Sequence, residues 1–285
     1  MKVCKFGGTS MSDASSIIRS ANIVKSDPMR KFVIVSAPGK VNGEEKITDM
    51  LINCYETVKK GASCKTVFSK VENRFNNIIK DLGLDIDLTE KFAKILLNID
   101  NGASKDYAAS RGEYLMAIVF AKVLGYEFVD AQDIIKFFPD KTFDSEYTND
   151  YVSKVLNEMK NTGVVVPGFY GRTPDGAVCT FSRGGSDVTG SIIARAVKAD
   201  LYENWTDVNG FMMCDPRIVQ NPAKINMLTY KELRELSYMG ATVLHPESIF
   251  PVRRADIPIN IKNTFEPENS GTMIVPSKDY VGQNG

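Results

Sequence analysis

Lys5-Phe6-Gly7-Gly8-Thr9-Ser10 is the stretch from which the rest of the chain can be ordered. A short apolar run, Val3-Cys4, precedes it, and Ser12-Asp13 followed by a helical pattern comes after. The segment reads as a first strand that ends in a glycine turn carrying one lysine. Two adjacent glycines remove side-chain bulk and open positive φ, so a ligand can come close to the backbone. Free N–H groups in such a turn, ahead of a helix N-terminus, attract anions. Lys5 adds a mobile cationic charge. The combination suits a phosphoryl group, although a glycine pair after a strand also serves as a plain tight turn.

Working outward, Ala14, Ile17, Ile18, Ala21 and Val24 recur at helical spacing, with Ser12 or Asp13 as N-cap. Phe32-Val33-Ile34-Val35 is a compact apolar run, the pattern of a strand buried on both faces, and it ends in Ser36-Ala37-Pro38-Gly39. Helical patterns follow through Ile47, Met50, Leu51, Cys54 and Val58, then Val67, Val71, Phe75, Ile78 and Ile79, then Leu88 to Asn98. Residues 104–124 are apolar on nearly every face after Arg111-Gly112-Glu113, which predicts a helix in the middle of the fold. A carboxylate entering such a helix is costly unless paired or holding a ligand, so Glu113 is either a ligand group or a charge at an exposed helix end. Tyr126 to Val129 reads as a strand, Asp150 to Lys160 as a helix and Val164 to Phe169 as a strand. Thr173-Pro174-Asp175-Gly176 marks a hairpin tip. Strands and helices alternate onward, at Leu201 to Trp205, Tyr230 to Met239, Pro246 to Arg254, Ile257 to Ile261 and Thr272 to Val275. This order predicts an α/β fold, a largely parallel sheet covered by helices on both faces, in one domain with two lobes.

The 285 residues are enough for a substantial core. Lys plus Arg equals Asp plus Glu at 35 each, so no basic surplus points to nucleic acid. No apolar run approaches the roughly 20 residues of a membrane span, and the N-terminus lacks a signal-peptide pattern. Five scattered cysteines, Cys4, Cys54, Cys64, Cys179 and Cys214, form no C-x-x-C pair; free thiols in a cytoplasmic protein are expected. The one histidine, His245, stands at a helix start before Pro246-Glu247 and reads as structural; a multi-histidine zinc site is excluded.

Two more segments carry chemistry. Ser182-Arg183-Gly184-Gly185-Ser186-Asp187 ends a strand and opens a helix. Arg183 offers a planar fork for a carboxylate, and Asp187 an opposite charge, a pair able to grip a zwitterion or simply each other. Trp205-Thr206-Asp207-Val208-Asn209-Gly210, with Asp215-Pro216-Arg217 beyond, lies past a strand end, where open α/β sheets bind ligands.

Together with Gly240-Ala241-Thr242-Val243-Leu244-His245-Pro246, these motifs stand in the order and register of aspartate kinases, and the chain resembles the catalytic domain of that family, within the amino-acid kinase superfamily, from Met1 to about Val275. The resemblance implies the three-layer αβα sandwich of the amino-acid kinase fold. It implies an amino-acid-binding lobe over about 1–180, a nucleotide-binding lobe over about 181–275 and a polar tail over 276–285. It implies transfer of the γ-phosphoryl of ATP to the side chain of L-aspartate, giving 4-phospho-L-aspartate, the entry to lysine, threonine and methionine synthesis. By that match Lys5 sits on the transferring phosphoryl group, with Asp187 as its catalytic partner that also helps hold the substrate ammonium. Thr48, Glu113, Arg183, Gly184, Gly185 and Ser186 form the aspartate site. Gly7, Gly8, Ser36, Ala37, Thr206, Asp207, Met212, Asp215, Arg217 and Thr242 face the nucleotide. Mg2+ is held mainly through the ATP phosphates, and no side chain is assigned to it. A homodimer is implied, with no membrane or nucleic-acid partner. The family often carries lysine at the position of Thr242 and an aromatic residue at that of Met212, and it usually continues into ACT domains; none is expected in this sequence, nor feedback inhibition by lysine or threonine. A kinase for another small acid, or a non-catalytic binding subunit, would use the same fold.

Overall fold

Consecutive residues of the central strands enter two different cores. Val3, Phe32, Ile34, Val164, Val166 and Tyr202 belong to one apolar cluster, while Cys4, Phe6, Val33, Val35, Val165 and Trp205 belong to the other. Side chains alternate along a strand, so this sheet must be covered on both sides, which is why its strands read as unbroken apolar runs. The computed structural model describes residues 1–41, 43–159, 161–182, 184–214, 218–220, 222–238 and 244–279.

The first half runs β1 (Lys2–Phe6), α1 (Ala14–Lys25), β2 (Arg30–Val35), α2 (Ile47–Lys59), α3 (Lys65–Asp81), α4 (Thr89–Asp100), α5 (Lys105–Leu124) and β3 (Glu127–Phe128). The second half runs α6 (Ala131–Ile134), α7 (Ser145–Glu158), β4 (Val164–Pro167), β5 (Tyr170–Arg172), β6 (Val178–Thr180), α8 (Gly185–Ala196), β7 (Leu201–Thr206), β8 (Met227–Thr229), α9 (Tyr230–Tyr238), α10 (Phe250–Arg254), β9 (Ile259–Asn263) and β10 (Thr272–Val275). Eight strands form one sheet in the order β3-β4-β2-β1-β7-β9-β10-β8, and β5 and β6 make a separate hairpin. The pairings are parallel except β9 with β10, so β10 and β8 run against the other six. The first five helices build the Cys4 side of the core, and α7, α8 and α10 the Val3 side. The three layers expected from the alternation are present.

Local signals fix several boundaries. Asp13 caps α1 by accepting from Ser16 N at 2.9 Å, and Ser104 caps α5 by accepting from Tyr107 N at 3.1 Å. Gly125, left-handed at φ 70°, ends α5. The expected hairpin tip lies between β5 and β6, with Gly176 at φ 87°. Helix α7 starts at Ser145, ahead of the expected Asp150, because Asp144 accepts from Tyr147 N before the apolar periodicity begins. The three-residue β8 was not expected. The five cysteines are free, four of them buried. His245 caps the 3-10 turn Pro246–Ile249 through Nδ1, consistent with its structural reading. Among the described residues no helix is long and apolar enough to cross a membrane.

One buried polar network belongs to the sheet itself. Glu203 of β7, 2% exposed, accepts from Arg30 Nε at 2.7 Å and Nη2 at 3.2 Å, from Trp205 Nε1 at 3.0 Å and from Cys4 Sγ at 3.4 Å, with Lys2 Nζ 3.5 Å away. Burial works to raise its carboxyl, but Arg30 and the other donors outweigh burial and hold it below the usual value.

Candidate active site

Four strand ends are tied in series at the carboxyl edge of the sheet. Gly168 N, just past β4, donates to Val35 O of β2 at 2.9 Å. Ser36 N, just past β2, donates to Phe6 O of β1 at 3.1 Å, and Gly7 N, just past β1, donates to Trp205 O of β7 at 3.0 Å. Open α/β sheets bind ligands outside such an edge, where connections leave toward opposite faces. Here α1 follows β1 on one face and α8 precedes β7 on the other.

Backbone proximity explains the glycines. Gly39 N donates to Gly8 O at 2.9 Å, and a Cβ on Gly39 would lie 2.8 Å from Gly8 C and O, so the turns after β1 and β2 interlock and admit no side chain there. A Cβ on Gly112 of α5 would lie 2.7 Å from Ala37 Cβ and 2.9 Å from Ile47 Cγ2. Its absence lets α5 close on the second turn and on the start of α2, which carries Thr48. A Cβ on Gly168 would lie 2.5 Å from Ser186 Cβ, so the start of α8 packs directly on the loop after β4.

The charges converge from both sides of this edge. Lys5 is 8% exposed and its Nζ lies 2.7 Å from Asp187 Oδ1, in the first turn of α8. Asn204 Nδ2 of β7 donates to the same oxygen at 2.8 Å. A Cβ on Gly7 would be 3.7 Å from Lys5 Nζ, which places the glycine turn beside the ammonium. Glu113 is 6% exposed on α5, and its Oε2 has no hydrogen-bond partner among the described residues. Burial pushes its carboxyl up to about 8, against the downward pull of the Ala37 backbone and of Arg111. The exposed-end reading of Glu113 is therefore overturned: the carboxylate is buried and half unsatisfied.

The structure thus brings Lys5, Gly7, Gly8, Ser36, Ala37, Glu113, Gly184, Gly185, Ser186 and Asp187 to one edge. Thr206 ends β7, and its hydroxyl lies 3.3 Å from Oδ1 of the exposed Asp207. Met212, half-buried, pairs with Lys224 in an isolated bridge farther along that connection. Arg183, Asp215, Arg217 and Thr242 lie outside the described residues. Asn204 and Gly112 were missed from sequence. Two successive polar residues, Glu203-Asn204, inside a buried parallel strand were a readable signal for the first; the second is visible only in three dimensions.

The chain belongs to the amino acid kinase family, whose model matches residues 1–263. Within that family it is similar to aspartokinase 3 of Bacillus subtilis, 38% identical over 292 residues, covering 98% of this chain and 64% of that protein. Among solved structures it resembles aspartate kinase from Clostridium acetobutylicum, with 50% identity, TM-score 0.95, and coverage of 100% of this chain and 65% of that one. It also resembles E. coli aspartokinase III in complex with aspartate and ADP, with 27% identity, TM-score 0.85, and coverage of 97% and 64%. The chain therefore spans slightly under two thirds of each of these relatives.

Proposed function

We propose that this chain is the catalytic domain of an aspartate kinase, moving the γ-phosphoryl of ATP to the side-chain carboxylate of L-aspartate to give 4-phospho-L-aspartate. The observation that carries the reading is the pairing of Lys5 with Asp187 at the strand-end junction, with the half-satisfied Glu113 on the other side of the same two turns. The aspartate and ADP bound by the E. coli relative support the same substrates here.

Phosphoryl transfer needs alignment and charge neutralisation more than covalent help from the protein. The acceptor carboxylate is already ionised at neutral pH, so no general base is required. Lys5 supplies cationic charge to the transferring group, and Asp187, itself bonded by Asn204, holds that ammonium in place. Glu113 takes the substrate ammonium through its free oxygen, and Arg183 takes the α-carboxylate. Gly7, Gly8, Ser36 and Ala37 line the phosphate path, and Thr206, Asp207, Met212, Asp215, Arg217 and Thr242 the nucleotide. Asp187 and Asp207 are hard oxygen donors of the kind magnesium takes, and no group of three metal ligands exists among the described residues. With ATP phosphates and water supplying the rest of the coordination, the ion would neutralise charge on those phosphates. The amino-acid lobe corresponds to residues 1–180 and the nucleotide lobe to 181–275.

The test is ATP- and magnesium-dependent formation of a hydroxamate in the presence of hydroxylamine, with L-aspartate, L-glutamate and N-acetylglutamate in parallel. Product with aspartate alone is expected. Product with another acid moves the substrate while keeping the fold; no product from folded protein overturns the proposal for this chain.

A further inference from the structure

Helix α3 turns Phe68, Val71, Phe75, Ile78 and Ile79 into the core, and Arg74 stands at the same spacing. This arginine, where the pattern asks for an apolar residue, is 6% exposed, and burying a guanidinium is costly unless its N–H groups are used. Arg74 uses them on the site. Its Nη2 donates to Ser12 O at 2.9 Å, in the connection after β1, and to Gly39 O at 3.1 Å, in the connection after β2. Its Nη1 pairs with the carboxylate of Glu44, an exposed residue farther along the second connection. Among the described residues no other side chain hydrogen-bonds both connections.

The task of the two turns accounts for a charged fork at this place. A turn that receives a phosphate offers N–H groups and must keep its carbonyl oxygens out of the anion's path. The turn after β1 settles most of its own: Gly7 O accepts from Ser10 N at 3.1 Å, Gly8 O from Met11 N at 3.1 Å and from Gly39 N at 2.9 Å, and Ser10 O from the Ser20 hydroxyl at 3.0 Å. Ser12 O and Gly39 O are settled by Arg74. One planar group thus fixes the spacing of two turns whose own contact, Gly39 against Gly8, admits no side chain. A lysine would carry the charge without the fixed plane. By bonding Gly39 and Glu44 together, Arg74 also clips both ends of the segment that leads to α2 and Thr48.

We propose that Arg74 is a positioning residue for phosphoryl transfer: it bolts the two phosphate-facing turns to α3 at the separation the ATP phosphates need, and Glu44 holds its guanidinium in that setting. The inference rests on the reading above, in which Gly7, Gly8, Ser36 and Ala37 line the phosphate path. Arg74 acts through the turns, not by contact with the reacting groups.

The test compares wild type with Arg74→Met, Glu44→Gln and the double variant, by initial rates in the hydroxamate assay and by amide hydrogen exchange without substrate. Arg74→Met is expected to lower kcat about tenfold to a hundredfold, the scale of a small misplacement at a reacting centre, and to raise the ATP KM while the aspartate KM stays within about twofold. Glu44→Gln, which leaves the fork its two carbonyls, lowers kcat only about twofold to fivefold. The double variant is no slower than Arg74→Met, because both changes act on one group. A wild-type kcat in folded Arg74→Met, a larger rise in the aspartate KM than in the ATP KM, or a double variant slower by the full Glu44→Gln factor overturns the proposal. In hydrogen exchange, residues 7–13 and 36–41 should lose protection in Arg74→Met while β7 and β9 keep theirs. A scaffold role alone would lower the urea midpoint and leave the kcat of the folded fraction and the exchange of the turns unchanged. If the methionine variant does not fold, Arg74→Lys takes its place with the same two readouts, and wild-type values in both overturn the proposal. If the wild-type chain phosphorylates no acid, exchange still decides: loosening confined to the two turns means that the substrate reading has failed and the hold of Arg74 stands, and unchanged exchange refutes Arg74.

Discussion

The two faces of the β1–β7 ladder carry two ion pairs built from neighbouring residues, and they are built differently. On one face Glu203 takes Arg30, Trp205, Cys4 and Lys2, and its oxygens are saturated. On the other, Asp187 holds Lys5, whose ammonium stands beside the glycine turn, and Asn204, the residue after Glu203, donates to that same Asp187 oxygen. The first pair is closed over by α1, β2 and a tryptophan that stacks on Phe6, with centroids 6.1 Å apart at 12°. The second faces the opening at the strand ends. A closed network holds the sheet together; an open one keeps a charge ready for something the chain does not itself contain.

The sharpest way to break this contrast is to damage the closed side. Glu203→Gln leaves Arg30 buried without its counter-charge and should cost about 3–5 kcal/mol, read as a lower urea midpoint at unchanged slope, while the kcat of the folded fraction stays near wild type. On the open side the pattern inverts. Lys5→Ala should lower turnover about 10²–10³-fold in the hydroxamate assay while shifting the urea midpoint little, because Asp187 keeps Asn204 and reaches solvent. A fall in stability as large as that of Glu203→Gln would show that Lys5 belongs to the scaffold.

Glu113 extends the comparison to pH. Its folded carboxyl stands at about 8 against an ordinary 4.5, so the folded state holds a proton that the unfolded chain has released, and stability falls as pH rises through that window. Glu113→Gln removes the effect, so its gain over wild type should grow between pH 5 and 8 to on the order of 3 kcal/mol, with weaker aspartate binding. Glu203 has the opposite sign: its carboxyl is held below 4.5, so its contribution is present above that pH and is lost as pH falls. Melting both Glu→Gln variants across pH separates the two. The smallest change is Cys4→Ala, which takes one weak donor from an otherwise saturated Glu203 and should cost about 1 kcal/mol.

How much of this could be read from the sequence depends on the range of the interaction. The two-sided sheet was legible because Phe32 to Val35 and Val164 to Val166 are apolar at every position, a pattern that strand alternation explains by itself. The hairpin tip was legible because Thr173 to Gly176 contains its own turn chemistry. The start of α7 was misplaced because its cap, Asp144, precedes the apolar face. β8 was invisible because three residues hold no periodicity. In the site, Glu113 stood out as a charge in an apolar helix, but the close packing of its helix, Gly112 against Ala37 and Ile47, is a contact that no local pattern encodes. Asn204 was readable and overlooked: a second polar residue in a row puts one polar group on each face of a buried sheet, and both then need partners.

The position of β1 between β2 and β7 has a consequence in time. Cys4 and Glu203, bonded across that ladder, are 199 residues apart in the chain. During synthesis β1 emerges first and finds β2 soon after, but its other edge stays open until β7 has left the ribosome, and unpaired strand edges invite wrong partners. Met1 through β4 can assemble as a half-sheet ending at β1. Lys5 then waits beside an empty edge until β7 arrives, and the junction at the strand ends joins two halves of the sheet made at different times.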